Sequence, residues 1–219
     1  MKRVIGNGIM ALALGLMTPQ ITPAQGTITY VSNLGQPSSG SSPVGSDSWF
    51  AADFYTGTNA GGYLLDSVQL AMSDASGNPS GFTAMLYSAV GGVAVFPGSS
   101  LGTLNGSLNP VTSGIYTYAP ASSFTLSPNT GYYFVLTAGI AVANGAYQWS
   151  VTSTPSPGYN EYHWGGEIFF AHSGNGLNWN YYSGTYGQFA ITATPVPEPG
   201  VLSIFILGGV FFLCRYRRL

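Results

Sequence analysis

The sequence predicts an all-β domain: a single two-sheet β-sandwich, jelly-roll-like, set between two apolar terminal stretches. Three observations point there. Gly, Ser, Thr, Asn and Tyr are abundant, and turn residues recur at short intervals. The short stretches between the turns are β-rich, and several alternate apolar and polar residues with a period of two. No stretch in the middle of the chain carries the 3.6-residue periodicity of an amphipathic helix.

The strands follow in order. Residues 25–32, 49–55, 64–72, 82–87, 115–118, 122–126, 132–138, 147–152, 168–171 and 188–193 read as strands, packed as two layers. In 64–72 the alternation assigns Leu64, Asp66, Val68, Leu70 and Met72 to the core face and Leu65, Ser67, Gln69 and Ala71 to the other. Residues 74–79, Asp-Ala-Ser-Gly-Asn-Pro, form a hairpin or loop connection to the next strand. Asp74, Ser76 and Asn78 alternate like the opening of a calcium loop, but no glutamate follows at the needed distance, which leaves a turn.

Charge sets the limits of function. The five basic residues are Lys2, Arg3, Arg215, Arg217 and Arg218, so residues 4 to 214 contain no fixed cation. Between 25 and 194 stand Asp47, Asp53, Asp66, Asp74, Glu161 and Glu167, with nothing basic to answer them. A nucleic-acid partner is excluded, because it requires a basic footprint against phosphates. Lys-dependent cross-links and phosphate sites built on Lys or Arg are excluded with it. Packing and backbone pairing, not ion pairs, must specify the fold.

Both ends read as export signals. Lys2 and Arg3 precede an apolar stretch, 4–17, which is shorter than the about 20 residues of a spanning helix. Thr22 and Ala24 stand at the −3 and −1 positions of a peptidase site, so 1–24 is expected to be a signal peptide and 25–194 the extracellular domain. No Cys follows the apolar stretch to take a lipid. At the other end, 195–199 is a stiff, non-helical run, since each Pro fixes its own φ and keeps the residue before it out of the helical region. Residues 200–214 are apolar, 15 residues or about 22 Å as a helix against about 30 Å of hydrocarbon. Arg215, Arg217 and Arg218 then hold the end on the cytoplasmic side. Cys214 is an apolar helix residue with no second Cys to pair.

Val196, Pro197, Glu198 and Pro199, followed by an apolar helix and an arginine-rich end, closely resemble the PEP-CTERM sorting signal of Gram-negative bacteria. The resemblance covers 195–219. It implies handling by an exosortase-type membrane transpeptidase, residence in the inner membrane as a precursor, and delivery to the cell surface or an exopolysaccharide matrix. The middle of the chain resembles a choice-of-anchor domain, most like type R. That likeness is carried by the Tyr-Val-Ser-Asn-Leu-Gly-Gln run at 30–36, the segment 54–68, Leu86-Tyr87-Ser88 and the segment 126–136. It implies an extracellular β-rich domain and supplies no activity, catalytic residue or cofactor.

The residues themselves offer one functional lead. Tyr159, Tyr162, Trp164, Phe169, Phe170, Trp179, Tyr181, Tyr182 and Tyr186 crowd a Gly- and Asn-rich region. Aromatic rings either fill a β-protein core or present faces on which sugar rings stack. On the second reading Trp164, Trp179, Tyr181 and Tyr182 are the glycan contacts, and the exopolysaccharide is the ligand. His163 and His172, with Glu161 and Glu167 close by, lack the spacing of a helical metal site, so no metal is assigned. Glu161 and Glu167 as a glycosidase pair need carboxyls about 5–9 Å apart, whereas a straight strand separates them by about 20 Å. A turn at 164–166 is the one route to bring them together. No G-x-S-x-G run lifts a serine into a nucleophile elbow. No catalytic residue is assigned.

The charge layout gives a direct test. Trypsin cuts after Lys and Arg, and there is neither between Arg3 and Arg215. Residues 25–194 should therefore survive trypsin even in urea, while chymotrypsin cuts the unfolded chain at its Tyr, Phe and Trp; gel analysis of paired digests reads both.

Overall fold

A computed structural model describes residues 26–90, 96–154, 164–166, 169–182 and 184–198. The expected signal peptide, the apolar tail with Arg215, Arg217 and Arg218, Pro199, and the cluster Tyr159, Glu161, Tyr162, His163 and Glu167 lie outside the described residues. Among the described residues no helix is long and apolar enough to cross a membrane.

The described chain is all-β and antiparallel. In order its strands are β1 (Ile28–Ser32), β2 (Gly40–Val44), β3 (Trp49–Tyr55), β4 (Tyr63–Gly77), β5 (Thr83–Val90), β6 (Phe96–Asn105) and β7 (Gly114–Pro120). Then come β8 (Thr125–Leu126), β9 (Gly131–Thr137), β10 (Gly145–Thr152), β11 (Phe170–Ser173), β12 (Asn180–Tyr182), β13 (Tyr186–Gly187) and β14 (Phe189–Pro195), with one 3-10 turn at Val142–Asn144. The strands pair along the path β1-β14-β4-β7-β6-β5-β9-β3-β11-β12, with β10, β13, β2 and β8 attached around β4.

The sheet curls so that its two halves face each other. β1, β14, β4, β7 and β10 form one layer; β6, β5, β9, β3, β11 and β12 form the other. The layers join where β6 meets β7, at Leu104 with Pro120 and Asn105 with Ala119. They are thus halves of one curled sheet and not two separate sheets. Rings from both sides meet between them: Phe134 of β9 lies 4.7 Å from Phe189 of β14 and 5.4 Å from Trp149 of β10, and Trp149 lies 5.1 Å from Phe170 of β11. This interior removes Phe50, Phe54, Val68, Leu70, Phe134, Trp149 and Phe189 from water.

Trp149 is fully buried, and its indole N–H donates to the Gln188 carbonyl at 3.1 Å. Its ring lies against Gly187, where a Cβ would collide with the six-membered ring. Asn33, also buried, clamps the same segment. Its amide donates to the Gly187 carbonyl at 2.8 Å, and its side-chain oxygen accepts the Phe189 N–H at 2.7 Å. One side chain thereby replaces two rungs of a β-ladder where strand pairing is interrupted.

Most sequence-predicted strands are present, with two corrections. In β4 the core-facing residues are Tyr63 and Leu65, then Val68, Leu70 and Met72, while Leu64 and Asp66 are only half-buried. The cause is a bulge. Leu65 pairs with Ala193 and Ser67 with Thr192, so Asp66 is an extra residue and the alternation changes phase there. Asp66 instead accepts the Thr194 hydroxyl at 2.8 Å. The predicted connection at 74–79 begins later than expected, because β4 continues through Gly77 and pairs with β10 at Gly145 and Ala146. Of the hairpin and loop alternatives it is the loop, crossing from one layer to the other, since β4 and β5 do not pair with each other.

Strands β2, β6, β12 and β13 are not legible as β-rich runs. β2 reads Gly-Ser-Ser-Pro-Val and pairs with β10 alone, an edge position that tolerates a proline without an N–H. Two of the stretches that carry the choice-of-anchor resemblance pack on each other. Thr56, fully buried, donates to the Ser127 carbonyl at 2.6 Å and accepts the Thr130 N–H at 2.9 Å.

Gly187→Ala should force either the Trp149 ring or the 186–189 backbone to move. A loss of about 1–3 kcal/mol is expected, read as a lower urea midpoint, with a matching drop in the fluorescence change assigned to Trp149.

Candidate functional site: the outer aromatic face

A strand that buries alternate residues in the core presents the others on its opposite face. In β3, Phe50, Ala52 and Phe54 enter the main core, while Ala51 belongs to a second cluster on the outer side, with Trp49 packed against it. β9 divides likewise, with Tyr132, Phe134 and Leu136 inside and Tyr133 and Val135 outside. Register aligns the outer residues in rows. Tyr181 of β12 pairs with Ala171 of β11, Ala171 with Ala51, Ala51 with Val135, and Val135 with Met85 of β5. In the next row Asp53 pairs with Tyr133 and Tyr133 with Tyr87.

Two alanines side by side leave room above the backbone. Ala51, Ala171, Tyr133 and Val135 are fully buried, and the partly buried Trp49, Met85, Tyr87, Phe169 and Trp179 pack against them. Tyr181 keeps 42% of its surface exposed, stacked on Phe96 at 4.4 Å and tilted on Phe169 at 4.9 Å. The Trp49 indole N–H is tied to the Ser46 carbonyl at 2.9 Å. The 174–178 loop crosses beside that ring; at Gly176, where φ is +72°, a Cβ would lie 2.8 Å from it. The face therefore presents rings held at fixed angles, with the carboxylate of Asp53 among them. Asp53 is 4% exposed and accepts the Phe169 N–H at 3.0 Å. Burial, and secondarily the Asp53 charge, push the Tyr181 phenol above its ordinary pKa, so Tyr181 is a neutral hydroxyl donor at physiological pH.

The four residues assigned to glycan contact separate. Trp179 and Tyr181 share the outer face. Tyr182, the next residue along β12, points to the other side, edge-on to Phe50 and Phe170 at 6.0 and 6.2 Å, with 49% of its surface exposed. Trp164 belongs to neither surface, and this corrects the sequence expectation. It is fully buried, stacked on Tyr30 at 4.4 Å and edge-on to Tyr63 at 4.9 Å, where it closes one end of the main core. A bridge between Tyr55 and the adjacent Gly165 directs it inward. The outer-face residues that sequence reasoning missed are Trp49, Asp53, Tyr87 and Phe96. The alternation of 49–55 contained the signal for the first two.

His172 is the one described histidine. Its Nε2 lies 3.3 Å from the Ser48 hydroxyl, which donates to the Pro43 carbonyl at 2.7 Å. The pair braces the start of β3 against β11. Among the described residues no three His, Cys, Asp or Glu side chains converge as a metal site.

No protein-family model matches the chain, and no curated protein matches it in sequence. Among solved structures, the chain is similar to the cysteine protease and lectin-like domains of Cwp84, a surface layer associated protein of Clostridium difficile. The identity is 12% and the TM-score 0.46, over 68% of this chain and 32% of that one. This chain thus spans about a third of the length of that relative.

Burial holds the His172 imidazole below its usual pKa, so the folded state favours the neutral ring. The unfolded chain takes up its proton first as pH falls through about 6.5. The His172 contribution to stability should be intact above that pH, decline as pH falls towards the folded pKa, and level off below it. His172→Gln should flatten this part of the profile, measured as urea midpoints across the range.

Proposed function

We propose that the protein is an exported, non-enzymatic cell-surface or matrix protein, a jelly-roll-like sandwich sorted by an exosortase-type system through its C-terminal tail. The observation that carries this reading is the order Val196-Pro197-Glu198-Pro199, apolar run, arginines, set immediately after the last described strand. The geometry is compatible with tethering. β14 ends at Pro195, and β1 pairs beside it. Both ends of the domain leave from neighbouring strands, so a membrane attachment at either terminus leaves the sandwich clear.

A second reading, favoured by the exposed Tyr181 with Trp179, Trp49 and Tyr87, is glycan binding on the outer face. With no fixed cation from 4 to 214, the domain repels polyanions, so the face suits a neutral polysaccharide. An acidic one requires a bridging divalent cation.

Mass spectrometry of surface copies should find chains lacking Arg215 to Leu219, and Glu198→Ala should leave the intact precursor in the inner membrane. Intact C-termini on all surface copies would replace sorting with a plain anchor. Polysaccharide pull-down on the same protein separates the second reading. Trp179→Ala with Tyr181→Ala should abolish chelator-resistant capture, and wild-type protein that captures no glycan removes that reading. Trp164 is left unchanged, because its loss opens the core. Glycan turnover that disappears in Glu161→Gln or Glu167→Gln would instead make the protein a hydrolase.

A further inference from the structure

The first residues of the tail are held by a turn of the domain. After Pro195 pairs with Tyr63, the Val196 N–H donates to the Gly62 carbonyl at 3.0 Å. The Val196 carbonyl accepts the Asn59 side-chain amide at 2.9 Å. The Glu198 carboxylate accepts the Ala60 N–H at 3.1 Å. The turn is built to receive this segment. Asn59 is fixed by its own amide, which also donates to the Gly62 carbonyl at 2.6 Å, and by its backbone N–H, which donates to the Tyr63 hydroxyl at 3.0 Å. Tyr63 is itself a core residue, 4% exposed. Gly61 leaves bare backbone where any Cβ would collide with the Val196 carbonyl, and Gly62 turns the chain with φ at +76°.

We propose that the turn at 59–62 is a docking site for the chain's own residues 196–198, and that the folded domain thereby masks the sorting motif until the segment is lifted away. The docking rests on geometry alone; its consequence for processing rests on the sorting reading above. Recognition of an extended peptide draws its affinity from main-chain hydrogen bonds; the groups the motif offers include the Val196 N–H and carbonyl, and its only charge is Glu198. All three are committed to the turn. Folding and motif exposure are then opposed, and processing proceeds through an undocked state whose population the turn controls.

The stretch 195–199 offers a clean readout, because its three prolines leave Val196 and Glu198 as the only backbone N–H groups. Hydrogen exchange on the full-length precursor in detergent should show Val196 protected by about tenfold or more over its intrinsic rate. Gly61→Ala and Asn59→Ala, two independent ways of releasing the segment, should each remove that protection while amides in β14 stay protected. In cells that process the wild-type chain, both variants should yield more tail-free protein at early times after synthesis. A Val196 amide exchanging at its intrinsic rate in the wild type overturns the docking. Protection lost in both variants with unchanged or slower processing overturns the masking. If no chain is ever processed, the sorting reading fails and the masking with it, while exchange still decides whether the turn holds the segment.

Discussion

The contact between Trp149 and the bare backbone at Gly187 and Gln188 is the constraint on which the rest of this structure depends. A single indole reaches between both layers, meets Phe134 and Phe170, and donates its N–H to the Gln188 carbonyl. Aromatic pairs of this kind contribute about 0.5–1.5 kcal/mol each beyond the area they bury. The donated bond also prevents a buried polar group from being left without a partner. The absent side chain at Gly187 lets the ring come this close, and Asn33 fixes the backbone on the far side. β14 thereby takes its position between β1 and β4, the arrangement that brings the two ends of the domain together.

The described chain contains no Lys or Arg, so specificity passes to neutral hydrogen bonds between side chains and backbone. Asn33, Thr56 and Asn59 each hold a segment distant in sequence by satisfying main-chain groups. Such bonds are short-ranged and unaffected by salt, in contrast to surface ion pairs, which salt screens. The same chemistry that joins the strands also holds residues 196–198, so there is no structural break between the last described strand and the segment that follows it.

The aromatic-rich stretch shows how one composition serves three purposes. Trp164 closes the main core, Tyr182 edges it, and Trp179 and Tyr181 cover the outer face of the second layer. Neighbouring residues on a strand point to opposite sides, so Tyr181 and Tyr182 could never have served one surface together. Composition marked the region as important, but the register of β11 on β3 decided which rings face solvent.

The sequence by itself determined the all-β class, most of the strands and the lack of Lys and Arg among the described residues. These follow from local pattern: period-two alternation, turn residues, and where the basic residues stand. The tertiary structure decided what local pattern does not encode. The bulge at Asp66 changes the phase of β4 because a partner strand pairs across it. β2 and β6 exist because neighbours supply hydrogen bonds to sequences whose Gly, Ser and Pro content carries no strand signal. The outer face is assembled from strands far apart in the chain, with Asp53 and Trp49 made part of it by register. The tail meets the turn at 59–62 because β14 returns beside Tyr63, a contact across more than a hundred residues that no window of sequence contains.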